Sequence, residues 1–201
     1  VEHSYPEIIR PALQTFHTAP HVKHVCGVYL MIAKGQVYLF ADTTVNIEPD
    51  ASTLAEIAIL ASDFAKSLEI DPRVAMLSFS NFGDTRHPSS DKVASAVDIL
   101  RKMRPDILVD GEMQADTAVV ADIVDNRYPF SMVKDANVLV FPDLNSANIS
   151  YKLLSRLGDV EAIGPVLLGL GAPVHVLQMG AEVDDIVAMT AVAVMDAQRR
   201  G

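Results

Sequence analysis

Residues 74–103 read VAMLSFSNFGDTRHPSSDKVASAVDILRKM, and this stretch decides the fold. Val74 to Phe79 is a short, continuous apolar run, the pattern of a strand buried on both faces of a parallel sheet. A polar loop, Ser80 to Pro88, follows it. Ser89 or Ser90 is placed to cap a helix that runs to about Met103, and Pro105 ends it. The same order of strand, loop and helix recurs downstream. Ile107–Val109 precedes a helix from about Ala115 to Val124. Asn137–Phe141 precedes one ending near Gly158, and Val174–Leu177 precedes one over Ala181–Arg199. Such alternation specifies a mostly parallel sheet with helices on both faces, a three-layer α/β/α fold.

Upstream, Val25–Ala33 and Gln36–Ala41 are β-branched and aromatic-rich and flank the turn Lys34-Gly35. They predict an antiparallel hairpin that makes the sheet mixed. Asp50–Leu68 carries Leu54, Ile57, Ala58, Ala61, Ala65 and Leu68 at helical spacing. Ligands of such sheets bind beyond the carboxyl ends of the strands, which directs attention to residues 80–88, 110–116, 142–148 and 178–182. Gly169-Leu170-Gly171-Ala172-Pro173 is the one candidate hinge.

Composition narrows the function. The 201 residues carry a formal net charge of −10, half are hydrophobic and one is cysteine. An acidic chain is a poor partner for nucleic acid, whose phosphates need a basic face. One cysteine excludes a disulfide framework and fits a reducing cytosol. No run reaches the roughly 20 apolar residues of a membrane helix. The chain starts at Val1 without an initiator methionine, as a piece of a longer protein would. No dinucleotide, P-loop, nucleophile-elbow or zinc-protease motif is present. The six histidines lack ligand spacing, so no metal is expected. Cys26, inside a strand, reads as a buried and inert thiol.

Three places suggest chemistry. Ser80, Asn81 and Gly83 lie where a strand meets a helix, and their N–H groups could cradle an anion. Lys152 and Arg156 share a helix face, which is either an ordinary solvated face or a clamp for phosphate. Asp184 and Asp185 open a helix that is apolar nearly all round, where acids complement the helix dipole.

Several segments together resemble the phosphate acetyltransferase/butyryltransferase family. They are Asp42-Thr43-Thr44-Val45-Asn46 and the stretches 73–80, 109–116, 136–145, 148–152 and 164–170. Within it, Gln178-Met179-Gly180-Ala181 and Ser80-Asn81-Phe82-Gly83 are similar to the C-terminal acetyltransferase-like domain of hybrid NADP-dependent malic enzymes. The resemblance implies an isocitrate dehydrogenase-like, two-lobed fold. Residues 1–168 would form the second lobe, and 169–201 would supply a strand and helix returning to a first lobe whose beginning is absent. It places Asp185 at the position of the catalytic base, Gln178 at that of a serine and Met179 at that of an arginine. Ser80, Asn81, Lys152 and Arg156, with Gln178 and Met179, would contact an acyl-coenzyme A.

Two of the catalytic groups are thus replaced. The expectation is therefore a regulatory, acetyl-CoA-binding domain without transferase activity, self-associating as a homodimer within a larger cytoplasmic homo-oligomer. NADP and a divalent metal would belong only to the parent malic enzyme. The alternative is an active phosphate acetyltransferase moving acetyl between acetyl phosphate and coenzyme A.

Overall fold

The computed structural model describes residues 5–177 and 180–200. In chain order the first elements are α1 (Tyr5–Phe16), β1 (Cys26–Ala33), β2 (Gln36–Ala41), α2 (Ala51–Ser67), β3 (Arg73–Leu77) and α3 (Pro88–Met103). Then come β4 (Leu108–Met113), α4 (Ala115–Val119), α5 (Ala121–Arg127), β5 (Val138–Val140), α6 (Leu144–Leu157), β6 (Val160–Leu168) and α7 (Val183–Arg200).

The hairpin forms where the sequence places it, with Val28 opposite Ala41 and Ala33 opposite Gln36. Lys34 and Gly35 turn it with φ of 52° and 75°. The six strands lie in the order β4-β3-β5-β2-β1-β6. β2, β5, β3 and β4 run parallel to one another. β1 is antiparallel to both β2 and β6, so it is the one reversed strand of a mixed sheet.

Alternation along the strands divides the core. Val28, Leu39, Val74, Met76, Val138 and Val166 face α2, α3 and the Met189–Val192 side of α7. Tyr29, Met31, Phe40, Ala75, Leu77 and Leu139 face the other way, against Ala118 of α4 and Ala147 and Tyr151 of α6. Full burial of a side chain such as Leu39, Leu54 or Met76 contributes about 1.5–3 kcal/mol. Helices on both faces of one sheet give the three-layer architecture.

Local chemistry sets the helix starts. Asp50 accepts the Thr53 N–H at 2.7 Å and caps α2. Asp143 accepts the Ser146 N–H at 2.8 Å and caps α6. At α3 the expected serine cap is corrected. His87 is the cap, its Nδ1 accepting the Ser89 N–H at 3.1 Å, and Ser90 Oγ completes the box by accepting the His87 N–H. Pro88 at the first helical position places the cap two to three residues earlier than expected, because its fixed φ suits a helix and it has no N–H to satisfy.

Four other elements differ from expectation. α1 has no counterpart in the sequence reading, because it holds Pro11 in its interior, a residue that normally argues against a helix. The single helix expected over 115–124 is two short ones, broken at Val120, whose φ of −120° and ψ of 100° are extended. β6 is a nine-residue strand hidden by its internal Gly164-Pro165, which reads as a breaker. It is an edge strand, where a proline removes no ladder bond the sheet needs. The strand expected at 174–177 is not formed, because no strand runs beside it to complete a ladder among the described residues.

Candidate active site

At the β6 edge of the sheet, α6 from one face and the start of α7 from the other converge. Between them lies a cleft of about 470 Å3. α6 contributes Lys152, Ser155 and Arg156, β6 contributes Val160, Ala162 and Gly164, and α7 contributes Asp185. Leu177, Gly180 and Ala181 complete the wall. The cleft is also bounded by Tyr29 and Tyr151, whose rings stack at 4.2 Å and 19°. Gly164 makes that stack possible. Its φ is 150°, and a Cβ there would lie 2.9 Å from Cδ1 of Tyr29.

The charges are arranged for an anion. Lys152 and Arg156 are exposed, one helical turn apart, and neither is held by a carboxylate among the described residues. The Lys152 Nζ stands 6.0 Å from the centre of the Tyr151 ring, at the outer limit of a cation–π contact. Asp185 Oδ2 accepts the Glu182 N–H at 2.9 Å, a helix-capping bond that fixes the side chain. So the acid both supports its helix and lines the cleft. Of the residues expected at the site, the fold brings together Lys152, Arg156 and Asp185. Gln178 and Met179 lie outside the described residues.

Ser80 and Asn81 are placed elsewhere, in the loop after β3. Ser80 is 1% exposed, and its hydroxyl donates to Glu112 Oε1 at 2.9 Å and accepts the Thr85 N–H at 3.0 Å. Gly83 N–H donates to the same carboxylate oxygen at 2.7 Å, and Phe82 N–H to the Glu112 carbonyl at 2.7 Å. Asn81 Oδ1 accepts the Gln114 N–H at 2.8 Å. The loop does cradle an anion, and that anion is the protein's own Glu112, 3% exposed. Beside it, along β4, lies a second cleft of about 620 Å3. Arg101 on its wall is already held by Asp110 at 2.7 Å, and Phe82 packs on Phe130 at 5.0 Å. Although larger, this cleft has much of its charge satisfied internally.

Other polar motifs are structural. Asp42, at the end of β2, accepts N–H bonds from Gly27, Thr44, Val45 and Asn46. Burial pushes its carboxyl upward, and those donors pull against the shift. The Asp-Thr-Thr-Val-Asn motif thus ties β1 to β2. Burial pushes the Cys26 thiol up as well, with Asp42 and Glu56 adding to the effect, so the thiol is poorly suited to attack as a thiolate. His24 Nδ1 pairs with Glu56 at 2.7 Å in a partly exposed position, and His175 lies 3.4 Å from Asp196 with both side chains buried. Among the described residues no group of three His, Cys, Asp or Glu side chains could hold a metal ion. No helix among them is long and apolar enough to cross a membrane.

Tyr29 and Gly164 escaped the sequence reading as parts of this site. The available signal was Gly164-Pro165, an improbable pair inside an apolar run unless something packs against it.

Comparison with known proteins gives a consistent result. Residues 1–194 match the family described as phosphate acetyl/butaryl transferase. A phosphate acetyltransferase of Bacillus subtilis is 45% identical over 185 residues, covering 92% of this chain and 57% of the relative. One from Clostridium acetobutylicum is 43% identical, covering 98% and 62%. The crystal structure of a phosphotransacetylase from Streptococcus pyogenes superposes with a TM-score of 0.93 at 42% identity, over 98% of this chain and 61% of that one. The chain therefore spans about three-fifths of the length of these relatives.

These findings overturn the expectation of a regulatory malic-enzyme domain and of an oxidoreductase parent. Relatives matching nearly the whole chain are phosphate acetyltransferases. The NADP and divalent metal tied to that parent lose their support with it. Two substituted positions, Gln178 and Met179, carry less weight than a match over nearly the whole chain. The amide N–H of Gln178 can donate a hydrogen bond where a hydroxyl would, so one changed donor does not by itself end catalysis.

Proposed function

The chain belongs to the phosphate acetyl/butaryl transferase family, and from that premise we propose that it forms the larger part of a phosphate acetyltransferase, moving acetyl between acetyl phosphate and coenzyme A. The observation that carries the proposal is the convergence of Lys152, Arg156 and Asp185 on one cleft at the edge of the sheet.

Each residue has a role that suits its chemistry. Lys152 and Arg156 hold phosphate groups of the coenzyme through charge-assisted hydrogen bonds. Asp185 takes the thiol proton, since the thiolate is the competent nucleophile. The sulfur attacks the acyl carbon, a C–S bond forms, and the bond between the acyl carbon and the bridging phosphate oxygen breaks as inorganic phosphate leaves with that oxygen. Gln178 and Met179 stand where the family carries a serine and an arginine, and Met179 supplies no charge there. The transfer is accordingly slow relative to a site with both groups. Ser80 and Asn81, expected at the coenzyme, are assigned to holding the loop around Glu112.

The remaining features fit a two-lobed enzyme. Residues 169–201 dock on a further lobe, which covers the exposed Val183, Ile186 and Val187 of α7 and gives residues 174–177 a neighbouring strand. A cytosolic homodimer completes the reading, and light scattering on the full-length protein measures its size. The decisive assay mixes full-length protein with acetyl phosphate and coenzyme A and follows thioester formation. Turnover that disappears in Asp185→Asn is expected. No turnover, or turnover indifferent to that change, would refute the proposal.

A further inference from the structure

We propose that Tyr151 is a catalytic residue whose hydroxyl donates to the oxyanion formed on the acyl group, an inference that rests on the transferase reading above. Tyr151 lies on α6, next to Lys152, and is 6% exposed. With the ring this buried, the hydroxyl at its tip is held at a fixed place and is the polar end that seeks a partner. This one has none among the described residues. It is also not sealed in the core: Tyr151 lines the cleft, and its oxygen is not among the buried polar atoms shut off from solvent. The ring is held in place by its stack on Tyr29 at 4.2 Å, a contact that Gly164 permits. The result is a fixed, unengaged donor at the wall of the site.

The neighbours leave this task to Tyr151. The Ser155 hydroxyl, one helical turn away, is already donated to the Tyr151 carbonyl at 2.7 Å. Lys152 and Arg156 carry permanent charge and suit the permanent charge of phosphates. Asp185 is an acceptor. A neutral donor fits the transient charge on a carbonyl oxygen, which exists only near the transition state, and a donor fixed beforehand needs no reorganisation.

The step balances. The thiol proton passes to Asp185, the sulfur lone pair forms the C–S bond, and the carbonyl electron pair moves onto the oxygen facing the Tyr151 O–H. That pair then re-forms the carbonyl as the bond to the phosphate oxygen breaks and phosphate departs with its electrons. A hydroxyl thereby serves the oxyanion even though Gln178 stands where the resemblance places a serine.

Tyr151→Phe tests this, because it keeps the ring stack and removes only the oxygen. In the full-length protein, with acetyl phosphate and coenzyme A, kcat is expected to fall roughly 100-fold. The KM for coenzyme A should stay within about twofold and the melting temperature within about 2 °C, since the lost bond exists only in the transition state. A variant turning over within threefold of the unaltered protein would overturn the role of Tyr151 and leave the transferase reading intact. A loss of kcat accompanied by a collapse in melting temperature would also overturn it, by showing a structural role. An unaltered protein with no turnover would sink both.

Discussion

Two polar regions of this molecule have similar vocabularies and opposite fates. The loop after β3 offers hydroxyls, an amide and glycine N–H groups, and the fold closes all of those named on itself around Glu112. The cleft between α6 and α7 offers two cations, an acid and a tyrosine hydroxyl, and most of that capacity stays open among the described residues. Unengaged polar groups cost stability when partly buried, so a fold keeps them where a ligand completes them. A residue's type shows that it could bind, while its existing partners show whether it is available to do so.

Substitutions can break or sharpen this contrast. The largest effect is expected at the open cleft. Asp185→Asn should lower kcat by about 10²–10⁴, the usual contribution of a positioned proton acceptor. A second change runs the other way. Gln178→Ser combined with Met179→Arg should raise kcat by roughly 10²-fold or more, measured by thioester formation. No gain would mean that the two departures are not what slows the site. At the closed loop the effect should fall on stability. Glu112→Ala leaves the Ser80 hydroxyl and Gly83 N–H unpaired and should cost roughly 3 kcal/mol in denaturant unfolding, with KM for coenzyme A unchanged.

The smallest effect calibrates the stability scale away from both regions. Asp50 caps α2, and the hydrogen bond from the Thr53 N–H, with that from Ser52 Oγ, holds its pKa down at about 2. A depressed acid stabilises the fold above its unfolded pKa near 3.9, and the benefit disappears as pH falls through about 2. Asp50→Ala should therefore cost about 1 kcal/mol at pH 7 and progressively less between about pH 4 and pH 2.

Much of the architecture was legible in the sequence because its elements are strongly patterned. The hairpin over 25–41, the helix after Asp50 and the parallel strand at Val74 all follow from periodicity and turn chemistry. β6 was not legible, because its glycine serves a close approach to Tyr29 that no local rule reports. The absence of a strand at 174–177 reflects pairing, which depends on what lies alongside it. At the site, Lys152, Arg156 and Asp185 were visible as residue types, and their convergence needed the fold. Ser80 shows the complementary limit: its hydroxyl bonds Glu112, which comes from a different strand and is not legible from the local sequence.

The contrast between an open and a closed region is tested most directly by calorimetric titration of coenzyme A into the full-length protein and two variants. Lys152→Ala combined with Arg156→Ala should weaken binding by at least tenfold, while Ser80→Ala should leave the Kd within twofold and lower only the melting temperature. Equal losses from the two variants, or a larger loss from Ser80→Ala, would contradict the account.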